Sequence, residues 1–370
     1  MTDARLGGFW HRSGLLAASA MLVTAAANEG CGGDGPAQTT STSSSTTTTT
    51  TTTGTGGGGG TGGTGGTGGV GGGMQANIAA AAEDIARPLD ATPDPDGENI
   101  YFSALDPTKG AGIYKAGSGG AATSVVRAGD PYASPFGVSM GSDGKLLYVA
   151  DLGAGEDLNN DNVVDSGQIF VQSVSGGDPS VLMGTVGTKP RGLEVVQEKG
   201  VDQVYFSGRD DKGLFGVFKI PATGGAPTAV SVGAPFVDPS GIAVATSGDV
   251  YVADAASATA FGAVIYKIAA GQNVAKELVV VPQIGYPAGI ALDAENAQLL
   301  ISALDPLKQT DVVIIVDLAT GNLSTYTGDA DTDISKFQES AGLHRAKNKN
   351  VFAWADSTAG KAGIVFKINF

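Results

Sequence analysis

Pro239-Ser240-Gly241-Ile242-Ala243-Val244, then Asp249-Val250-Tyr251-Val252-Ala253-Asp254, then Val264-Ile265-Tyr266-Lys267-Ile268 make three short apolar runs separated by small and polar residues. Runs of β-branched and aromatic residues bounded by Gly, Asp and Ser read as strands. Proline at the head of the first run begins a strand without needing a ladder partner, and glycine two residues later permits close backbone approach.

The pattern returns six times between Pro88 and the C-terminus. With the opening glycine, or the residue aligned with it, as marker, the positions are Asp90, Gly137, Gly192, Gly241, Gly289 and Gly342, spaced 47, 55, 49, 48 and 53 residues apart. Second strands follow at Tyr101–Ala104, Tyr148–Asp151, Tyr205–Gly208, Tyr251–Asp254, Leu300–Ala303 and Phe352–Ala355, and third strands at Gly112–Lys115, Ile169–Val171, Gly216–Ile220, Val264–Ile268, Val312–Val316 and Gly363–Phe370. Each interval is the length of one four-stranded blade, so the expected fold is an all-β, six-bladed β-propeller. The third strand of blade six runs to Phe370, which leaves that blade short of an outer strand, and Asn77–Ala82 is predicted to supply it and close the ring. Its alanines favour a helix, but an unpaired blade edge outweighs propensity.

The motifs resemble NHL-type six-bladed propellers, and more broadly the TolB-like and gluconolactonase-like group, over about residues 77–370. Blade four carries the likeness best through Pro239, Gly241–Val244, Gly248-Asp249 and Tyr251–Asp254, although Ala245 stands where that family favours Asp; blade five adds Pro287–Asp293. The resemblance implies that a lactonase-like member would hold a metal at the propeller axis with acid and amide side chains from several inner strands. Here the inner-strand positions after the opening glycine, Ser139, Glu194, Ala243, Ala291 and His344, include one acid, so an axial metal centre is not expected. His344 reads as a hydrogen-bonded strand residue rather than a general base. No catalytic residue is assigned, and the balance leans against an enzyme.

The ends of the chain point to export. Arg5, His11 and Arg12 precede an apolar run, Leu15–Ala27, with the layout of a signal sequence over residues 1–35. Cys31, the single cysteine, follows in Asn28-Glu29-Gly30-Cys31, a position that resembles a bacterial lipobox; Gly30 fits that pattern and Asn28 does not. The alternative is cleavage after Ala25-Ala26-Ala27, leaving a free thiol. Residues 36–73 are almost wholly Thr, Ser and Gly and cannot bury a core, which makes them a disordered tether of roughly 30–35 Å end to end. Residues 74–370 form the propeller body.

With a net charge of −15 and no Lys/Arg run, nucleic acid is excluded as a main partner. Two acidic features remain. In Glu156–Gln168, Asp157, Asn159, Asp161, the Val163 carbonyl and Asp165 fall at the alternate positions of an EF-hand-like loop, with Asn162 in place of the turn glycine and Gln168 in place of the last Glu; a structural Ca²⁺ is expected there. Asp106, Asp151, Asp254, Asp305 and Asp356 close second strands and would line one rim, either as a ligand surface or as turn caps. The leading expectation is therefore an exported, lipid-anchored, monomeric propeller that binds a protein, glycan or small molecule without catalysis and meets the membrane only through its anchor. A calcium-dependent lactonase-like hydrolase is the alternative, and a cap on a Thr-rich stalk is a third reading.

Overall fold

The strands expected from the repeat are all present, in sequential order. A computed structural model of the chain describes residues 77–117, 121–155, 166–256, 262–281, 283–285, 287–305, 310–326 and 340–369, and among these 24 strands form six antiparallel sheets of four, with no helix. β1 is Asn77–Ala82. Blade one is β2 (Pro88–Pro93), β3 (Ile100–Asp106), β4 (Gly110–Lys115) and β5 (Ser124–Ala128); blade two is β6 (Pro135–Met140), β7 (Leu146–Asp151), β8 (Gln168–Ser173) and β9 (Ser180–Val181). Blade three is β10 (Leu193–Glu198), β11 (Val201–Arg209), β12 (Phe215–Pro221) and β13 (Thr228–Val232); blade four is β14 (Pro239–Val244), β15 (Val250–Asp254), β16 (Ala263–Ile268) and β17 (Ala275–Val281). Blade five is β18 (Ile290–Leu292), β19 (Gln298–Asp305), β20 (Thr310–Asp317) and β21 (Leu323–Tyr326). Blade six is β22 (Ser340–Arg345), β23 (Val351–Asp356) and β24 (Ile364–Asn369), completed by β1 on its outer edge. The alanine-rich stretch is thus a strand, paired from Asn77 opposite Asn369 to Ala82 opposite Val365. The signal, Cys31, the tether and the proposed calcium residues Asp157 to Asp165 lie outside the described residues.

Both faces of each blade are covered by its neighbours, which is why the middle strands read as nearly continuous apolar runs. Tyr101, Ile113, Val138, Val149 and Phe170 fill the seam between blades one and two, and Leu300, Val313, Leu343, Trp354 and Phe366 fill that between five and six. Each fully buried aromatic in these seams contributes about 1.5–3 kcal/mol of burial.

Near the axis the blades touch through backbone. A β-carbon added to Gly192 would lie 1.8 Å from the carbonyl oxygen of Ser240 in blade four, and at Gly137, Gly241 and Gly289 it would lie 2.4 to 2.5 Å from the carbonyl oxygen of Arg191, Ala288 and Ala341. None of these glycines needs a left-handed conformation; space alone demands them.

A second regularity emerges only from the register. At matching positions beside the opening residues the second strands read Ser103-Ala104, Ala150-Asp151, Ser207-Gly208, Ala253-Asp254, Ser302-Ala303 and Ala355-Asp356, so odd and even blades alternate. In odd blades the serine hydroxyl donates to a carbonyl of the next even blade: Ser103 to Phe136 (3.4 Å), Ser207 to Ser240 (2.8 Å) and Ser302 to Ala341 (2.7 Å). In blades two and four the buried aspartate accepts amides of the loop arriving from the preceding odd blade, Asp151 from Ala133 and Ser134 and Asp254 from Val237 and Asp238. The ring is built of three blade pairs.

Removing residues 1–76 should leave the melting temperature of the propeller unchanged. Removing residues 1–82 deletes five strand pairings, about 4 kcal/mol at about 0.8 kcal/mol each, and should lower it by roughly 10 °C in a calorimetric scan. Equal melting of the two truncations would show that β1 does not close the ring.

Candidate functional site: the closed propeller axis

Five side chains from four blades meet at the axis. Glu194 on β10, Ser139 on β6 and His344 on β22 stand two residues after their opening glycines, and strand alternation turns all three inward. Asp90 on β2 occupies the glycine position itself. Its carboxylate fills the space where a β-carbon of Gly342 would stand, 1.7 Å from Oδ1, so blade six must open on glycine because blade one opens on aspartate. Lys347 reaches in from just beyond β22.

The contacts form one chain. His344 Nε2 donates to Asp90 Oδ2 (3.1 Å) and Nδ1 donates to Glu194 Oε2 (2.9 Å). Carboxylates only accept, so with both ring nitrogens donating the ring is an imidazolium. Lys347 Nζ donates to Glu194 Oε1 and to the Val195 carbonyl, each at 2.6 Å, and the Ser139 hydroxyl donates to Glu194 Oε2 at 3.3 Å. The amides of Ala91 and Val138 complete the Asp90 carboxylate at 2.8 Å each. Burial alone would lower the His344 pKa, but the charge of Asp90 and the bonds to Asp90 and Glu194 hold it up at about 10. Burial would likewise raise Glu194, and Lys347 and His344 together bring it down to about 2. Two anions and two cations therefore neutralise each other.

The recess beside this network is small. The cavity bordered by Glu194, Ala243, Ala291, Arg345 and Lys347 measures about 40 Å³, room for a water molecule and far below the roughly 300–1,000 Å³ of small-molecule sites. Arg345, beside His344, turns away from the network and donates to the carbonyls of Leu292 (2.8 Å) and Ala346 (2.6 Å), tying blade six to blade five. Among the described residues no three His, Cys, Asp or Glu side chains are disposed to hold a metal ion.

Of the aspartates proposed for a rim, the described structure turns four toward backbone amides, as turn caps do. Asp106 accepts from Ala86, Thr108 and Lys109; burial would raise its pKa, and these bonds hold it down at about 2. Asp151 accepts from four amides, yet burial still raises its pKa. Burial likewise prevails at Asp254, pushed up to about 6. Asp356 caps Thr358 and Ala359. Asp305 closes β19 opposite Thr310. Asp106, Asp151, Asp254 and Asp356 are buried, so they form no exposed acidic rim.

Open surface recesses lie elsewhere. A groove of about 720 Å³ is lined by Val186, Thr188, Arg209, Asp210 and Phe218, and the segments that line it also carry the exposed Met183 and Leu214. A second, of about 490 Å³, lies between blades three and four beside Tyr205, Lys219 and Gln272.

No protein-family model matches the chain, and no curated protein sequence is significantly similar to it. Solved structures share its fold. The PQQ-bound aldose sugar dehydrogenase of Streptomyces coelicolor superposes with a TM-score of 0.56 at 10% identity, over 80% of this chain and 98% of that one. A gluconolactonase of Xanthomonas campestris gives 0.54 at 14% identity, over 80% and 89%. TolB of Acinetobacter baumannii gives 0.50 at 9%, over 65% and 54%. At these identities the likeness is one of fold, and the chain is a six-bladed propeller with TolB-like and gluconolactonase-type neighbours.

Replacing His344 with Gln leaves Asp90 and Glu194 facing a neutral group and should cost about 3–5 kcal/mol near pH 6. A histidine raised from 6.5 to about 10 on folding stabilises fully below pH 6.5 and loses that contribution as pH climbs toward 10. The deficit of the variant, read from urea unfolding, should therefore shrink steadily between pH 6.5 and 10. A deficit that stays constant over that range would mean that His344 is neutral in the fold.

Proposed function

We propose that this propeller is a non-catalytic binding module, carried outside the cell on a flexible tether. The observation that supports this most is the axis itself: a neutral, interlocked Asp90–His344–Glu194–Lys347 network beside a cavity of about 40 Å³. A lactonase-like mechanism needs oxygen ligands free to hold a metal, and here every axial carboxylate is engaged by a cation or an amide. Binding then falls to the outer faces and the grooves around blades three and four.

Export, lipid attachment at Cys31 and a structural Ca²⁺ at Asp157, Asn159, Asp161, Val163 and Asp165 are part of the same proposal. A lipid at Cys31 would place the propeller up to a few tens of ångströms from the membrane, with the Thr/Ser/Gly stretch as spacer. The protein, glycan or small molecule bound is defined by its access to that outer surface.

Two experiments test the reading. Purified protein with millimolar Ca²⁺ should hydrolyse sugar lactones no faster than buffer; acceleration that disappears in Glu194→Gln would establish the hydrolase instead. In cell fractionation, Cys31→Ser should move the protein from the membrane to the soluble fraction, whereas an unchanged membrane pool would exclude the lipid anchor.

A further inference from the structure

The seam between blades five and six departs from the other two blade-pair seams. Blades two, four and six each turn an aspartate, Asp151, Asp254 or Asp356, toward the preceding odd blade. In register, the residue of the odd blade's third strand that meets it is Ala111 in blade one and Phe215 in blade three, both packed among apolar side chains. In blade five that residue is Asp311, paired with Leu304 as Ala111 is with Leu105 and Phe215 with Arg209. Asp311 shares the face of β20 that carries Val313 into this seam, and Asp356 shares the face of β23 that carries Phe352 and Trp354 into it. The fold asks for an apolar side chain here, and the chain supplies a second carboxylate.

The two carboxylates are only partly compensated. Asp311 and Asp356 are both fully buried, and burial, a side-chain hydrogen bond to Asp356 and the Asp356 charge all raise the pKa of Asp311. Apart from the contact between the two carboxylates themselves, no hydrogen bond reaches Oδ1 or Oδ2 of Asp311 or Oδ2 of Asp356 among the described residues. Together with Trp354 Nε1 on the same face, they make up four of the six buried side-chain polar atoms without a partner among the described residues. Asp356 Oδ1 is held by the Thr358 and Ala359 amides, which fixes the carboxylate and leaves its other oxygen to the seam. In blades two and four both oxygens of the corresponding aspartate accept amides. Buried polar atoms in folded proteins are nearly all satisfied, and each bare carboxylate oxygen is costly.

We propose that the Asp311–Asp356 seam is a binding site for a hard divalent cation of the calcium type. Such an ion takes six to eight oxygens, and carboxylates bind it through one oxygen or both. Both oxygens of Asp311 and Oδ2 of Asp356 supply three, and water or backbone carbonyls supply the rest. A single shared proton would satisfy one donor and one acceptor and leave the third oxygen bare. With only two carboxylates the affinity belongs to the weak range of extracellular modules, with Kd about 10⁻⁴ to 10⁻³ M. The site is separate from the Asp157–Asp165 loop, and bound calcium would fasten blade five to blade six.

The test uses the full chain carrying Asp157→Asn, Asp161→Asn and Asp165→Asn, so that the loop no longer contributes, and follows melting in EDTA and in 5 mM CaCl₂. Calcium should raise the melting temperature by roughly 3 °C or more. Adding Asp311→Ala, which copies the alanine of blade one, or Asp311→Asn should abolish that rise while raising the melting temperature in EDTA. An undiminished rise in both Asp311 variants would overturn the proposal, as would no response to calcium in their parent. A melting temperature that falls between pH 6 and 9 without responding to calcium would assign the pair to a shared proton and overturn it equally.

Discussion

The inner strands can approach one another only because their opening residues lack side chains. At four of the six blade junctions a glycine lies directly against a carbonyl oxygen of the next blade, leaving no room for even a methyl group. That contact sets how far each blade stands from the axis, and so how much of the axis remains open. It also positions Ser207 of blade three and Ser302 of blade five, whose hydroxyls reach two of those same carbonyls. The narrow axis is a consequence of backbone packing before any charged group is placed in it.

Asp90 is the exception that turns a packing rule into an electrostatic one. By standing in the glycine column it sends a carboxylate toward the centre, and the junction between blades six and one accommodates it through Gly342. His344 then bridges Asp90 of blade one to Glu194 of blade three, linking blades that share no sheet and no seam. A buried ion network of this kind adds little net stability over apolar packing, yet losing one member exposes the charges of the others. Its effect is on uniqueness: one arrangement of the inner strands satisfies four charges at once. β1 closes the ring at the periphery by main-chain pairing, and the axial network closes it at the centre.

The fold was legible because its signals are local and repeated: Pro-x-Gly, an alternating apolar run, a Tyr-led strand. Even the borrowed strand could be read, since a blade lacking its edge demands one. The axis was less legible. Glu194 and His344 stood in the right column, but Asp90 counted as a failed glycine, although it is the only marker of the six that is not one. Lys347 sits in Lys347-Asn348-Lys349-Asn350, which reads as an ordinary polar turn. The strand-closing aspartates were visible, but whether each faced solvent or amides depended on loops some 17 residues earlier in sequence. The odd–even alternation was present in the letters and became meaningful only once register aligned Ser103-Ala104 with Ala150-Asp151.

These features bear on where the molecule can meet a partner. The axial anions and cations cancel, so the net charge of −15 is carried elsewhere on the chain. Acidic groups that cap turns are held by amides, and their charge is spread over rigid backbone. At the fifth and sixth blades Asp356 has that compensation at one oxygen only, and Asp311 accepts from no amide among the described residues. A fold this regular shows its departures from its own repeat in two places: grooves bordered by uncovered apolar side chains around blade three, and a pair of facing carboxylates where the other blade pairs carry one. In a chain whose opening residues force the blades together, the outer faces are the surfaces left free to vary.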